Sequence, residues 1–193
     1  MVKLGLANET EGDGKKWKFI GLWSKNRWEW LATHIANMYF NNTSIGFFDS
    51  MGVQSVDYIL KQTELICMFS SSDYIKKVCA MKKDGTAVSI KYFVSFDPIT
   101  TEDKKACEAV GVTIYSFQEV MDCGAQNPDI PFNKCGQNDC PIFSYTSGTT
   151  GDSKGVKLTH KNILSSAAEI LDIIPLNNEQ SYISYLPYPH SFE

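Results

Sequence analysis

Tyr145-Thr146-Ser147-Gly148-Thr149-Thr150-Gly151-Asp152-Ser153-Lys154-Gly155-Val156 gathers hydroxyls, glycines and one lysine into a single short stretch. Glycines let backbone N–H groups turn inward into an anion-holding nest. Hydroxyls of Thr146, Ser147, Thr149 and Thr150 donate to phosphate oxygens, and Lys154 adds a mobile positive charge. That combination points to phosphate handling. A Walker A loop needs glycine immediately before the lysine and a hydroxyl residue after it, whereas here Ser153 precedes Lys154 and Gly155 follows.

Working outward, Pro141–Tyr145 reads as a strand leading into this loop, and Gly155–Thr159 as a strand returning from it. Thr159 then offers a cap for a helix whose apolar face is Ile163, Ala167 and Ile170, before Pro175. Tyr182–Leu186 alternates like a strand end. Upstream, Lys18–Ser24 predicts a buried strand and Asn26 a helix cap, followed by an apolar face at Leu31, Ile35 and Met38. Strands over Ser44–Asp49, Leu65–Ser70, Val88–Phe96 and Val112–Tyr115 alternate with helices at Val53–Leu60, Tyr74–Lys83 and Phe117–Cys123. Gly124–Asp139 has no apolar period and reads as a surface connection. Alternation of this kind predicts an α/β protein with a mostly parallel sheet flanked by helices.

With 193 residues, 43% hydrophobic and 21% charged, the chain is long and apolar enough to bury a core, which excludes a disordered class. The net charge is −4 and the lysine pairs are scattered, so no basic stripe follows a nucleic-acid backbone. Met1–Gly14 is polar and lacks the apolar centre of a signal peptide, and no segment has the length of a membrane span. Six cysteines without C-x-x-C spacing suit free thiols in a reducing compartment. Cys123, Cys135 and Cys140 share a polar region that has no histidine to complete a zinc site. His34, beside an apolar helical face, and His160, at a helix start, read as structural.

The order Thr-Ser-Gly-Thr-Thr-Gly-x-x-Lys-Gly-Val resembles the AMP-binding signature of the adenylate-forming enzymes: acyl-CoA synthetases, luciferases and adenylation domains of peptide synthetases. Ser153 stands where that family usually has proline, which leaves the loop less stiff without removing the lysine charge. Other segments are similar to long-chain acyl-CoA synthetases. Asn26-Arg27-Trp28-Glu29-Trp30 resembles their Asn-Arg-Pro-Glu-Trp, and Phe48-Asp49-Ser50-Met51-Gly52 resembles Tyr-Asp-Thr-Leu-Gly, with Gly46 where proline is common. Both segments read as structural, a helix start and a turn. Leu186-Pro187-Tyr188-Pro189-His190-Ser191-Phe192-Glu193 resembles Leu-Pro-Leu-Ala-His-x-Phe-Glu and favours long-chain synthetases over luciferases.

The resemblance implies part of the large N-terminal domain of an adenylate-forming enzyme. It assigns residues 1–16 to a polar N-terminal extension and residues 17–193 to an incomplete AMP-binding domain with its phosphate loop at 145–156. It implies that ATP is bound by Tyr145, Thr146, Ser147, Gly148, Thr149, Thr150, Gly151, Lys154 and Gly155, with Thr146 on the Mg²⁺ side. Lys154 and His190 are the implied catalytic and substrate-site residues. The implied reaction is long-chain fatty acid:CoA ligation through an acyl adenylate, with CoA as co-substrate. The family's Tyr-Gly-x-Thr-Glu segment, its ribose-binding aspartate and its C-terminal lysine are not in these residues. The chain therefore reads as the N-terminal part of a several-fold longer enzyme, inactive in isolation. Family members commonly lie on the endoplasmic reticulum or other membranes, which implies the cytoplasmic face and peripheral association. Two other readings stay open: a ligase for a shorter or aromatic acid, and a non-catalytic remnant that binds nucleotide.

Overall fold

The computed structural model describes residues 1–146, 153–174, 177–181 and 183–190. The hairpin β1 (Glu9–Gly12) and β2 (Lys15–Trp23) turns through Asp13 and Gly14, both at positive φ. There follow α1 (Trp28–Tyr39), β3 (Thr43–Phe47), α2 (Val53–Thr63), β4 (Cys67–Ser70), α3 (Ile75–Lys83) and β5 (Tyr92–Ser95). The remaining elements are α4 (Thr101–Glu108), β6 (Thr113–Ser116), α5 (Phe117–Ala125), β7 (Ile142–Thr146), β8 (Lys154–Leu158) and α6 (His160–Ile173). Among the described residues the sheet has the order β6-β5-β4-β2-β3-β7-β8. Neighbours run parallel from β6 to β7, and β8 returns antiparallel beside β7. The α/β architecture with a mostly parallel sheet is thus the one that the alternating sequence pattern predicts.

Period-two alternation in β2 divides the core. Phe19 and Trp23 face Val56, Ile59 and Leu60 of α2, Val78 and Cys79 of α3 and Cys107 of α4. Ile20 and Leu22 face the opposite way, toward Trp30 of α1 and Val120 of α5. Leu6, within the stretch read as a polar extension, is fully buried in this second cluster. From β2 the chain crosses to β3 on one side, and from β3 to β4 on the other. The winding direction therefore reverses beside β2, and in such sheets the carboxyl ends of the strands at the reversal form a ligand crevice.

Four expectations are corrected. Asn26 does not cap α1: the N-cap is Arg27, without a side-chain cap bond. The expected apolar face of α1 is turned outward, with Leu31 and Ile35 exposed, while Trp30, Thr33 and Asn37 are buried. Hydrogen bonding makes this workable, because Asn37 Nδ2 donates to Ser44 Oγ at 2.9 Å and Thr33 Oγ1 donates to Glu29 O at 2.7 Å. The strand expected from Val88 shortens to β5, because Gly85 and Ala87 adopt positive φ and fold the approach into turns. Residues 183–186 form no strand, and Ile183 and Tyr185 are exposed. The unexpected α4 buries only Asp103 and Cys107, too few residues to print a helical period. Its start is set by a capping box between Thr100 and Asp103.

Candidate functional site

The β7–β8 hairpin places Thr146 directly across from Lys154, and Tyr145 across from Gly155. Residues directly opposite on an antiparallel pair present their side chains to the same face, so the hydroxyl and the ammonium share the mouth of the hairpin. Both residues are exposed there. Ser147, Gly148, Thr149, Thr150 and Gly151, which the sequence assigns to phosphate binding, lie outside the described residues. Tyr145 and Gly155 have a different surrounding. Tyr145 is 3% exposed, its hydroxyl donates to Gln62 Oε1 at 2.7 Å, and burial pushes its pKa well up. A Cβ on Gly155 would lie 3.0 Å from Tyr145 Cζ, so the missing side chain is what lets the ring lie across the hairpin.

His190 reaches the same place from the far end of the chain. Its backbone N–H donates to Pro187 O at 2.8 Å, closing a turn over Tyr188 and Pro189. Pro189 is buried against β3, where a Cβ on Gly46 would come within 2.7 Å of Pro189 Cβ. Ser144 Oγ of β7 donates to Pro189 O at 3.2 Å, and the Tyr188 ring packs 5.3 Å from Trp30. The side chain of Asn26, in the turn after β2, donates from Nδ2 to Leu186 O at 2.6 Å and accepts from Tyr188 N at 2.9 Å through Oδ1.

Ser144, Tyr145, Thr146, Ser153 and His190 line a cleft of about 450 Å³, together with Phe48, Ser50 and Ser55 from the β3–α2 connection and the start of α2. A second cleft of about 460 Å³, lined by Ser24, Asn26, Phe47, Asp49, Ser184 and Pro187, shares Phe48 and Ser50 with it. The first opens at the carboxyl ends of β3 and β7 and the second at those of β2 and β3, next to the reversal of winding between β2 and β4. The α2 N-terminus at Gly52 borders the first cleft and has no side-chain cap.

The β2–α1 turn that carries Asn26 is fixed by charge. The Arg27 guanidinium grips Glu29 with two hydrogen bonds of 2.8 and 2.7 Å and reaches Asp97 at 2.8 Å. Hydrogen bonding from Arg27 holds the Glu29 carboxyl below its ordinary range. Burial alone would raise Asp97, but the Ser72 N–H and Arg27 outweigh it and bring this carboxyl down as well.

Two expected site residues, Thr146 and Lys154, are thus brought together, and His190 stands on the same cleft. Sequence reading missed Asn26, Gly46 and Ser144 as supports of the His190 segment. The departures at Gly46 and Pro189 from the related motifs were the available signal, since a residue without a side chain and a bulky ring fit each other in space.

The chain matches the family described as AMP-binding enzyme over residues 10–193. It is 34% identical over 175 residues to fatty acyl-CoA synthetase B of Dictyostelium discoideum, covering 90% of this chain and 26% of that protein. Against long-chain-fatty-acid–CoA ligase 5 of Rattus norvegicus it is 29% identical over 182 residues, covering 91% and 26%. Among solved structures, the A domain of carboxylic acid reductase from Segniliparus rugosus, in complex with AMP and a co-purified carboxylic acid, superposes with a TM-score of 0.68. That match has 19% identity and covers 89% of this chain and 30% of the other. The chain therefore spans about a quarter of the length of the curated relatives it matches. Neighbouring strands, loop signature and family match agree: the chain belongs to the AMP-binding enzyme family.

Proposed function

We propose that this chain supplies the triphosphate-binding part of an ATP-dependent long-chain fatty acid:CoA ligase. The observation that carries the reading is that Thr146, which lines a cleft with His190, stands directly across the hairpin from Lys154. In the proposed reaction a fatty acid carboxylate oxygen attacks the α-phosphorus of ATP and pyrophosphate leaves. The CoA thiol then attacks the acyl carbon, loses its proton and displaces AMP. Charge accumulates on the departing pyrophosphate, and a lysine with hydroxyl and backbone donors is suited to neutralise it. The chemistry of the donor set fits a polyphosphate. Among the described residues no group of three His, Cys, Asp or Glu is placed to hold a metal ion. Thr146 would stand on the Mg²⁺ side as a hydroxyl donor to the ion, which would offset charge on the phosphate oxygens.

The test joins residues 1–193 to the C-terminal remainder of the Dictyostelium discoideum synthetase B and measures acid-dependent release of AMP and pyrophosphate. Palmitate is expected to turn over faster than acetate or coumarate, and Lys154→Ala is expected to cut kcat by about 10²-fold to 10³-fold. No turnover with palmitate by a folded chimera would overturn the reading. The 193-residue chain alone is expected to release neither product.

A further inference from the structure

We propose that Asn26 is the positioning residue that seats His190 at the phosphate cleft. The geometry of the seat is independent of the ligase reading; its catalytic consequence rests on it.

The Asn26 side chain makes no helix cap, although it stands at a helix start. Both ends of its amide are committed to one short segment 160 residues away, donating to Leu186 O and accepting from Tyr188 N. A planar amide offers one donor end and one acceptor end, as a peptide group does, so Asn26 pairs with the segment as a strand neighbour would. Pro187 and Pro189 flank Tyr188, have no N–H to satisfy, and hold φ near one value. Clamping Leu186 and Tyr188 therefore stiffens the path to the next residues as well. Two further supports complete the seat: Ser144 Oγ holds Pro189 O, and the Pro189 ring rests on the bare backbone of Gly46. The residue that follows Pro189 is His190. Its direction into the cleft is thus set from the β2–α1 turn, β3 and β7 together, whereas residues 183–186 have no regular structure to set it.

Asn26→Ala removes both bonds; Asn26→Asp keeps the size but presents an acceptor to Leu186 O in place of the donor. In the 193-residue chain, both variants are expected to shift the His190 imidazole resonances and to speed amide exchange at 186–190, with the thermal midpoint little changed. In the chimera, both are expected to lower kcat for adenylate formation by roughly tenfold to a hundredfold, the usual scale of a misplaced reacting group, while the KM for ATP stays within about twofold. Failure of the isosteric Asp to rescue distinguishes the donor–acceptor role from simple packing. Unchanged His190 resonances and exchange in Asn26→Ala would overturn the seat, whatever the chimera does. A loosened segment with unchanged kcat would overturn the positioning role. A wild-type chimera without palmitate turnover would refute the ligase reading alone, leaving the resonance and exchange data to judge the seat.

Discussion

His34 sits where α1 meets β3, its Nδ1 2.9 Å from Ser44 Oγ, and that hydroxyl also accepts from Asn37. Burial, with a smaller contribution from His160, lowers the His34 pKa to about 4. Because the folded value lies below the ordinary 6.5, the neutral ring stabilises the fold fully above pH 6.5. That contribution is lost as pH falls from there through 4, in total on the order of 3 kcal/mol. Thermal midpoints of wild type and His34→Gln should therefore converge between pH 6.5 and 5; parallel pH profiles would refute this. Arg27 presents a second residue-level test. Arg27→Met strands Glu29 and Asp97 without their cation and should cost about 2 kcal/mol by urea titration, less than a fully buried pair because the guanidinium is 26% exposed. Arg27→Lys should recover little, since an ammonium cannot make the two-pronged bond to Glu29. The structural role of His34 was legible in the sequence, as a histidine beside a helical face. The task of Asn26 was not, because asparagine before a helix has the same appearance whether it caps locally or reaches a segment far along the chain.

The elements that position the site owe their boundaries to short polar signals more than to apolar period. Thr100, Ser116 and Thr159 each begin a helix with a reciprocal capping box, to Asp103, Glu119 and Asn162. Thr100→Ala should destabilise the fold by about 1 kcal/mol in a denaturant titration, and Thr100→Ser should restore most of it. The β7–β8 hairpin makes a sharper prediction. In Gly155→Ala the new Cβ meets the Tyr145 ring at 3.0 Å, and that ring is fixed by Gln62 and the core behind it. The hairpin must shift, so Gly155→Ala should weaken ATP binding in the chimera by several-fold, read by calorimetry. Gly155→Ala combined with Tyr145→Leu should regain part of the loss. Strands with short apolar runs bounded by polar or turn residues were readable, as β2 and β4 show. Helix α4 and the orientation of α1 were not, since their buried positions are largely polar and are decided by partners on other elements.

Across the whole molecule, burial is uneven. The sheet between α1, α5 and α2–α4 is packed on both faces, but α6 buries none of its residues, and Leu164, Leu171 and Ile173 are exposed on it. Its first turn is tied down where His160 N–H and Lys161 N–H donate to Asp139 O and Gln137 O. An amphipathic helix without a covered face raises the cost of staying monomeric. Light scattering on the 193-residue chain should show concentration-dependent association, relieved by Leu164→Glu with Leu171→Glu; an unchanged monomer at all concentrations would contradict this. The Asn26 clamp has a further consequence in time. Its two halves are separated by 160 residues, and at synthesis rates of about 5–20 residues per second the first half waits on the order of ten seconds or more for the second. Through that interval the sheet can assemble while the Asn26 amide stays hydrated. The His190 segment then meets a surface whose strands β2, β3 and β7 were made before it.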